Sequence, residues 1–489
     1  MTDEARVEVR KKAVRGAAWT VALGLGTRIL QVLGTLAVTY FLPRDVVGEA
    51  SNAAIFALNA HMFTTLGVPT ALAVRKSDPR SAFHATVLFA VTGVVGLGAA
   101  IALTGPFGGL LHSPSLGKYL VPLALATLLM RIGTVPDRML QYRLRFREAG
   151  LARSAGELSY AIVTVAAAYL GAGGWAIVAG HLARGSVALV GASMYLHPRE
   201  WAKPHPLDRS IFRDLLAFGV PLGIALWMAF AARNLDNFVV SALFGTAVVG
   251  AYNLAYNLAD IPASQVGEQV GDVLTASFAR LDGEARRAAL PRAMALVALV
   301  VFPLAFGLGV TAPTVVATLL RAEWRSVGGM LAVLAALSVT RPIAWIIGAY
   351  FQTTQRPRAV MWLSAFRLTA VMAAVGGLGA FFGPLGACAG VGIAFSLHAL
   401  GNVVWVMRED GFGVGELLGG VGRVVVACVP LCAAALGARA GIEALGVQVR
   451  GVGLAAEVVA GAAGYGVGLL LVARSQAREA LRLRHDLRR

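Results

Sequence analysis

The sequence predicts an all-α polytopic membrane protein of about fourteen transmembrane helices, two six-helix lobes in parallel repeat plus two C-terminal helices. Three observations predict it. Of 489 residues, 57% are hydrophobic and 14% charged, where soluble proteins carry about 25% charged. Mean hydropathy is +0.70, and the apolar runs continue from end to end. Basic residues collect in alternate connections, as the positive-inside rule requires of a multi-span chain.

A span needs about 20 apolar residues to cross about 30 Å of hydrocarbon. Runs of that kind predict helices over 16–42, 47–74, 81–104, 119–137, 149–171 and 174–197. A second series covers 211–243, 247–276, 289–320, 326–353, 358–381 and 385–407, and a last pair covers 419–440 and 450–473. Five Lys and Arg precede residue 16 and six arginines follow residue 473, whereas the longest opposite loop, Gly105–Lys118, carries one lysine and no acid. Both termini are therefore expected on the cytoplasmic side. The N-terminal stretch lacks a small-residue cleavage site, so the first apolar run is expected to stay as a span.

The net charge of +17 would suggest nucleic acid in a soluble chain. In a membrane protein it reads as cationic cytoplasmic loops, and no nucleic-acid partner is expected. Cys388, Cys428 and Cys432 lie in apolar segments without zinc or redox spacing. No P-loop, HExxH or GxSxG is present, and no long acidic loop exists for catalysis. Neither a catalytic residue, a metal site nor a cofactor is expected.

The chain repeats at about 200–210 residues. Val46-Val47-Gly48 opens the second span and Val248-Val249-Gly250 the eighth, with Asn52 and Asn253 following. Gly173-Gly174-Trp175 lines up with Gly383-Pro384-Leu385. The expected domains are an N-lobe over 1–200, a cytoplasmic linker over 201–212, a C-lobe over 213–408, and the last two spans with a basic tail over 409–489. Two parallel lobes with a site near the midplane is a transporter plan.

A charge at a helix centre costs about 2.5–3.5 kcal/mol and so faces a cavity or a partner. Mid-span arginines are Arg28, Arg184, Arg233, Arg341 and Arg367, with Arg131 nearer the inner end of its helix. Arginine is permanently charged and forks onto phosphate oxygens. Arg28, Arg184, Arg233, Arg341 and Arg367, with Asn59 and Asn237, are the candidate substrate-binding set for an anion such as pyrophosphate. Asp236, Asp260, Glu268 and Glu49 are the candidate coupling or charge-pairing acids. Arg233 and Asp236 share a helix face and can neutralise each other. Asp260 can bind a coupling ion or hold Arg233. Arg131 and Arg184 either snorkel or pair with Glu157, and His61 reads first as a packing residue.

The Arg233-x-x-Asp236-x-x-x-Val240 helix, Leu243-Phe244-Gly245 and Gly250-Ala251-Tyr252-Asn253-Leu254-Ala255-Tyr256 resemble helices seven and eight of bacterial polysaccharide flippases. These belong to the multidrug/oligosaccharidyl-lipid/polysaccharide exporter superfamily. Trp324 after Leu319-Leu320, and Gln352-Thr353-Thr354-Gln355-Arg356, are similar to that family's second half. The resemblance implies flipping of undecaprenyl-pyrophosphate-linked oligosaccharide for O-antigen or exopolysaccharide synthesis in the bacterial inner membrane. It implies membrane lipids, a coupling proton or sodium ion and other polysaccharide assembly proteins as partners. Two extra helices depart from many relatives and match lipid II flippases. A multidrug exporter, a lipid II flippase and a non-transporting assembly scaffold are the alternatives.

Overall fold

A computed structural model describes residues 34–69, 72, 78–143, 145–278, 281, 283–354, 356–446, 451–474 and 476. Every long element among them is a helix, because a chain in lipid must satisfy its backbone internally. Eight of the described helices are long and apolar enough to cross a membrane by length and composition. The chain packs into two compact units, Met1–Gly250 and Ala251–Arg489.

The first unit opens with α1 (34–41) and α2 (Arg44–Thr65), then α3 (Pro79–Ala102) and the one-turn-plus α4 (Thr104–Leu110). It continues with α5 (Leu116–Tyr142), α6 (Phe146–Tyr169), α7 (Trp175–Tyr195), α8 (Arg209–Asn234), α9 (Asp236–Phe244) and the first turn of α10 (Thr246–Phe278). Phe56, Leu116, Leu120 and Ile177 centre one buried cluster, and Phe89, Met139, Leu140 and Trp201 another. Val94, Val95 and Met194 instead stand exposed where lipid would cover them.

The expected second span, 47–74, is broken. Thr65 ends α2, and Leu66 and Gly67 follow in the left-handed region at φ 52° and 62°. Gly67 is required there twice over, since a Cβ would also come within 2.3 Å of the Gly219 carbonyl oxygen. The expected seventh span, 211–243, is likewise two helices joined at Leu235. At the start of α8 the Asp208 side chain accepts a hydrogen bond from Ser210 N–H at 2.9 Å, a standard N-cap.

The second unit contains the rest of α10, then α11 (Gly283–Leu319), α12 (Ser326–Leu337), α13 (Arg341–Thr353), α14 (Pro357–Asp410), α15 (Val414–Ala444) and α16 (Val452–Val472). Its core is built on Val301, Phe302, Ile346, Ile347, Phe351, Val406 and Val424. Arg286 gathers chain ends, donating to the carbonyls of Phe278, Leu281 and Thr353 at 2.8–3.0 Å. The expected tenth span is interrupted by a 3₁₀ turn, Ser338–Thr340. Although α14 runs 54 residues, Gly383 at φ 69° and ψ −160° breaks it before Pro384, which gives the two expected spans. Its repeat mate Gly173 also has positive φ, 55°, just before α7. The two glycines aligned by sequence thus both take positive φ.

Candidate functional site

In the second unit, the break in the tenth span places Arg341 as the first residue of α13, with Pro342 next to it. A cation buried within a span must be compensated by its surroundings. Here they compensate it in two ways. Asp260, midway along α10, accepts from Arg341 Nη1 in an ion pair. The guanidinium also lies over the rings of Phe395, 4.1 Å away, and Tyr256, 4.9 Å away. Tyr256 is one turn from Asp260, so α10 supplies both a carboxylate and an aromatic face.

Close by in sequence and fold, α14 buries Arg367 on its first arm and His398 and Asn402 on its second. Asn402 Nδ2 is 2.8 Å from the His398 carbonyl oxygen and 3.2 Å from its Nε2. His398 and Asn402 were not singled out from the sequence. Their i, i+4 spacing in an apolar helix was the available signal.

In the first unit, Arg184 on α7 pairs with Glu157 on α6. Arg131 does not snorkel, nor does it pair with Glu157. It is 2% exposed and turns inward to the end of α2. Its guanidinium donates to the carbonyl oxygens of His61 at 2.8 Å and Thr64 at 3.5 Å, to Thr92 Oγ1 at 3.1 Å and to Thr64 Oγ1. Its Nε lies 3.4 Å from His61 Nδ1, which therefore acts as a neutral acceptor. The charge is satisfied by the negative end of α2. Arg131, His61, Thr64, Gly93, Gly96 and Thr127 line a small cavity among α2, α3 and α5.

Among the remaining candidates, Asp236 begins α9, where a carboxylate suits the helix dipole. It is 1% exposed and accepts from Asn237 N–H at 3.0 Å and Nδ2 at 3.3 Å. Asn59 donates to the Ile55 carbonyl oxygen at 2.9 Å, and Glu49 is half-buried on α2. Arg28 lies outside the described residues. Arg233 and Glu268 are placed in α8 and α10, but their side chains lie outside the described residues. Asp260, considered as a holder of Arg233, is engaged with Arg341. Sequence reasoning also missed Glu457, 1% exposed on α16. It accepts from Arg439 Nε at 3.0 Å and Nη2 at 2.9 Å, and from Thr314 Oγ1 at 2.6 Å. The signal was present. The turn between the last two spans puts residues 439 and 457 at matching depth on an antiparallel pair.

Discontinuous helices carrying buried charges in an all-helical polytopic bundle define the transporter class of membrane fold. The chain belongs to the polysaccharide biosynthesis protein family, whose model matches residues 43–329. It is 22% identical over 421 residues to lipopolysaccharide biosynthesis protein WzxC of Escherichia coli K12, covering 81% of this chain and 80% of that one. It is 26% identical over 376 residues to succinoglycan biosynthesis transport protein ExoT of Rhizobium meliloti, covering 73% and 74%. In fold it is similar to the lipid II flippase MurJ in an inward closed conformation, with TM-score 0.74, 13% identity and 93% and 99% coverage. It is also similar to an inward-facing multidrug resistance MATE family transporter, with TM-score 0.64, 16% identity and 78% and 95% coverage.

Proposed function

We propose that the protein is a flippase that carries undecaprenyl-pyrophosphate-linked sugar units across the bacterial inner membrane by alternating access, with both termini in the cytoplasm. The observation that carries this reading is Arg341, buried mid-membrane and held by one carboxylate and two aromatic faces. A pyrophosphate is a stronger bidentate acceptor than a single carboxylate oxygen. Its arrival at Arg341 displaces Asp260 from that ion pair, and Asp260 then takes a proton or a sodium ion. Charge exchange at Arg341 thereby couples the substrate to an ion. Arg367 supplies a second buried cation in the same unit, and Arg28, Arg184 and Arg233 remain candidates for the sugar-pyrophosphate headgroup, with Asn59 and Asn237 for its hydroxyls.

The headgroup cannot cross hydrocarbon, while the polyprenyl tail stays in lipid. No bond is made or broken, so the protein is a carrier and not an enzyme. The membrane potential contributes about 2.3 kcal/mol per charge per 100 mV to such a cycle. The names of the relatives, two from surface-polysaccharide synthesis, favour this reading over drug export and over lipid II.

The test is flipping of a fluorescent polyprenyl-pyrophosphate oligosaccharide in proteoliposomes, with wild type, Arg341→Ala, Arg233→Ala and Arg28→Ala. Loss of flipping in Arg341→Ala with unchanged folding supports the site. Undiminished flipping removes Arg341 from it. Export of a cationic dye without flipping assigns the protein to drug export.

A further inference from the structure

His84 lies in the second turn of α3, fully buried, in a contact that one protonation state alone can make. Its Nδ1 is 2.7 Å from the carbonyl oxygen of Arg80 one turn earlier, so Nδ1 carries the hydrogen and donates. Its Nε2 accepts from the Asp208 backbone N–H at 2.9 Å, so Nε2 presents its lone pair. Both ring nitrogens are committed, and the ring is the neutral Nδ1–H tautomer. Asp208 is the N-cap of α8, so this bond ties the backbone at the start of α8 to α3 across 124 residues of sequence.

A proton added at Nε2 would set one N–H against another and break that tie. The surroundings offer the charged ring no compensation. Arg80, on the same helix, is itself a cation. The Phe83 ring stands edge-on at 5.9 Å, and α8 brings the Phe212 ring to 4.9 Å. The segment before α8 brings His205, whose ring is 6.1 Å from that of Phe83, and Asp208. The Asp208 carboxylate is the anion of this group, and its oxygens are already engaged. Oδ1 accepts from the Ser210 N–H at 2.9 Å and hydroxyl at 2.6 Å, and Oδ2 accepts from Arg80 at 2.9 Å. An imidazolium here would be buried beside two aromatic rings and an arginine.

Histidine is the side chain that ordinarily changes charge between pH 5 and pH 8. We propose that His84 is a proton-operated latch: neutral, it holds the start of α8 on α3, and protonated, it releases residues 203–212. The release is bounded. Further along α8, a Cβ on Gly219 or Gly223 would come within 2.5 Å of the Leu66 carbonyl group, so the helix from Gly219 onward is held separately against the break in α2. The latch does not depend on what the protein carries, and it stands or falls apart from the flippase reading.

The experiment is amide hydrogen exchange of the full-length protein in lipid nanodiscs between pH 8 and pH 5.5, with rates corrected for the intrinsic pH dependence of exchange. The Ser210 hydroxyl holds the Asp208 carboxyl below its ordinary value, so that group stays ionised throughout. Protection over residues 203–212 is expected to fall by about tenfold for each pH unit below the titration of His84, and protection from Gly219 onward to stay constant. His205→Gln is expected to keep the response and His84→Gln to lose it. Unchanged protection of the wild type overturns the latch, as does a response that survives in His84→Gln or vanishes in His205→Gln. Should His84→Gln fail to fold, ring-nitrogen NMR of histidine-labelled wild type decides the matter. One of the eight histidines is expected to be the Nδ1–H tautomer at pH 8 and to gain its second proton where protection falls. A spectrum without such a histidine overturns the proposal.

Discussion

Asp260 and Arg341 stand 81 residues apart in sequence and form an ion pair midway through their spans, at the point where the tenth span breaks. Neither partner has a local neighbour of opposite sign that would neutralise it by helical spacing. Two aromatic rings on the guanidinium make the arrangement selective for arginine.

Arg341→Lys is therefore expected to behave like Arg341→Ala in flipping, because a lysine cannot both fork and stack. Asp260→Asn removes the internal competitor for the guanidinium. It is expected to lower KM for the lipid-linked substrate and to lower kcat, since release and ion coupling are both lost. Steady-state flipping against substrate density in proteoliposomes separates the two effects. Equal KM in wild type and Asp260→Asn would refute the exchange of carboxylate for pyrophosphate.

Arg131 caps α2 from another helix. Arg131→Met keeps the volume and removes the guanidinium donors to the carbonyls of His61 and Thr64, His61 keeping the Thr65 hydroxyl. Hydrogen bonds to a charged group contribute about 1.5–3 kcal/mol, so a clear fall in thermal stability in detergent is expected. His61→Ala should cost less, because the larger share of the donors goes to carbonyl and hydroxyl oxygens. Equal melting temperatures of wild type and Arg131→Met would remove the capping role.

Glu457 ties the last two helices to α11 through Arg439 and Thr314. Truncating Arg439 alone strands a buried carboxylate, at about 3–5 kcal/mol. The double variant Arg439→Met/Glu457→Gln is expected to recover most of that loss. A double-mutant cycle measured by thermal unfolding in lipid nanodiscs checks it, and additive losses would show that the pair is not coupled.

The segment that leads into α8 is pinned to α3. Asp208 N–H donates to His84 Nε2 at 2.9 Å, and the Asp208 carboxylate pairs with Arg80 at 2.9 Å. The Ser210 hydroxyl and backbone N–H, with Arg80 nearby, hold the Asp208 carboxyl below its ordinary value despite an opposing desolvation effect. A depressed acid stabilises the fold fully above its unfolded pKa of about 3.9 and loses that contribution as pH falls through the folded value. The contribution of the Asp208 carboxylate should thus be constant between pH 7 and pH 5 and fall only in stronger acid. Asp208→Asn should reproduce the acid behaviour at pH 7, read as faster amide hydrogen exchange over residues 203–212. Identical exchange in both proteins at pH 7 would refute it.

Span positions were legible because burial in lipid is a one-dimensional demand. About 20 apolar residues must run consecutively, and the observed helices 79–102, 116–142, 146–169, 175–195, 414–444 and 452–472 fall where the runs do. The break at Gly383-Pro384 was readable for the same reason, as a stop in one run and the start of another. The breaks at Leu66-Gly67, Leu235 and Ser338–Thr340 were not, because apolar residues continue through them. Hydropathy registers what lipid sees, and these breaks are paid for inside the protein.

The same division holds for the site. The sequence alone determined the class of the molecule, its helical repeat and the residue types that needed partners, because each follows from the cost of placing a charge or a free backbone group in hydrocarbon. Which partner each charge takes was decided only by the tertiary structure. Arg341 found Asp260, Arg184 found Glu157 and Arg131 found a helix end, since those choices depend on helix rotation and distance across the bundle. Coulomb attraction and hydrogen bonding act over a few ångströms in space, and separations of 27 to 81 residues along the chain carry no record of them.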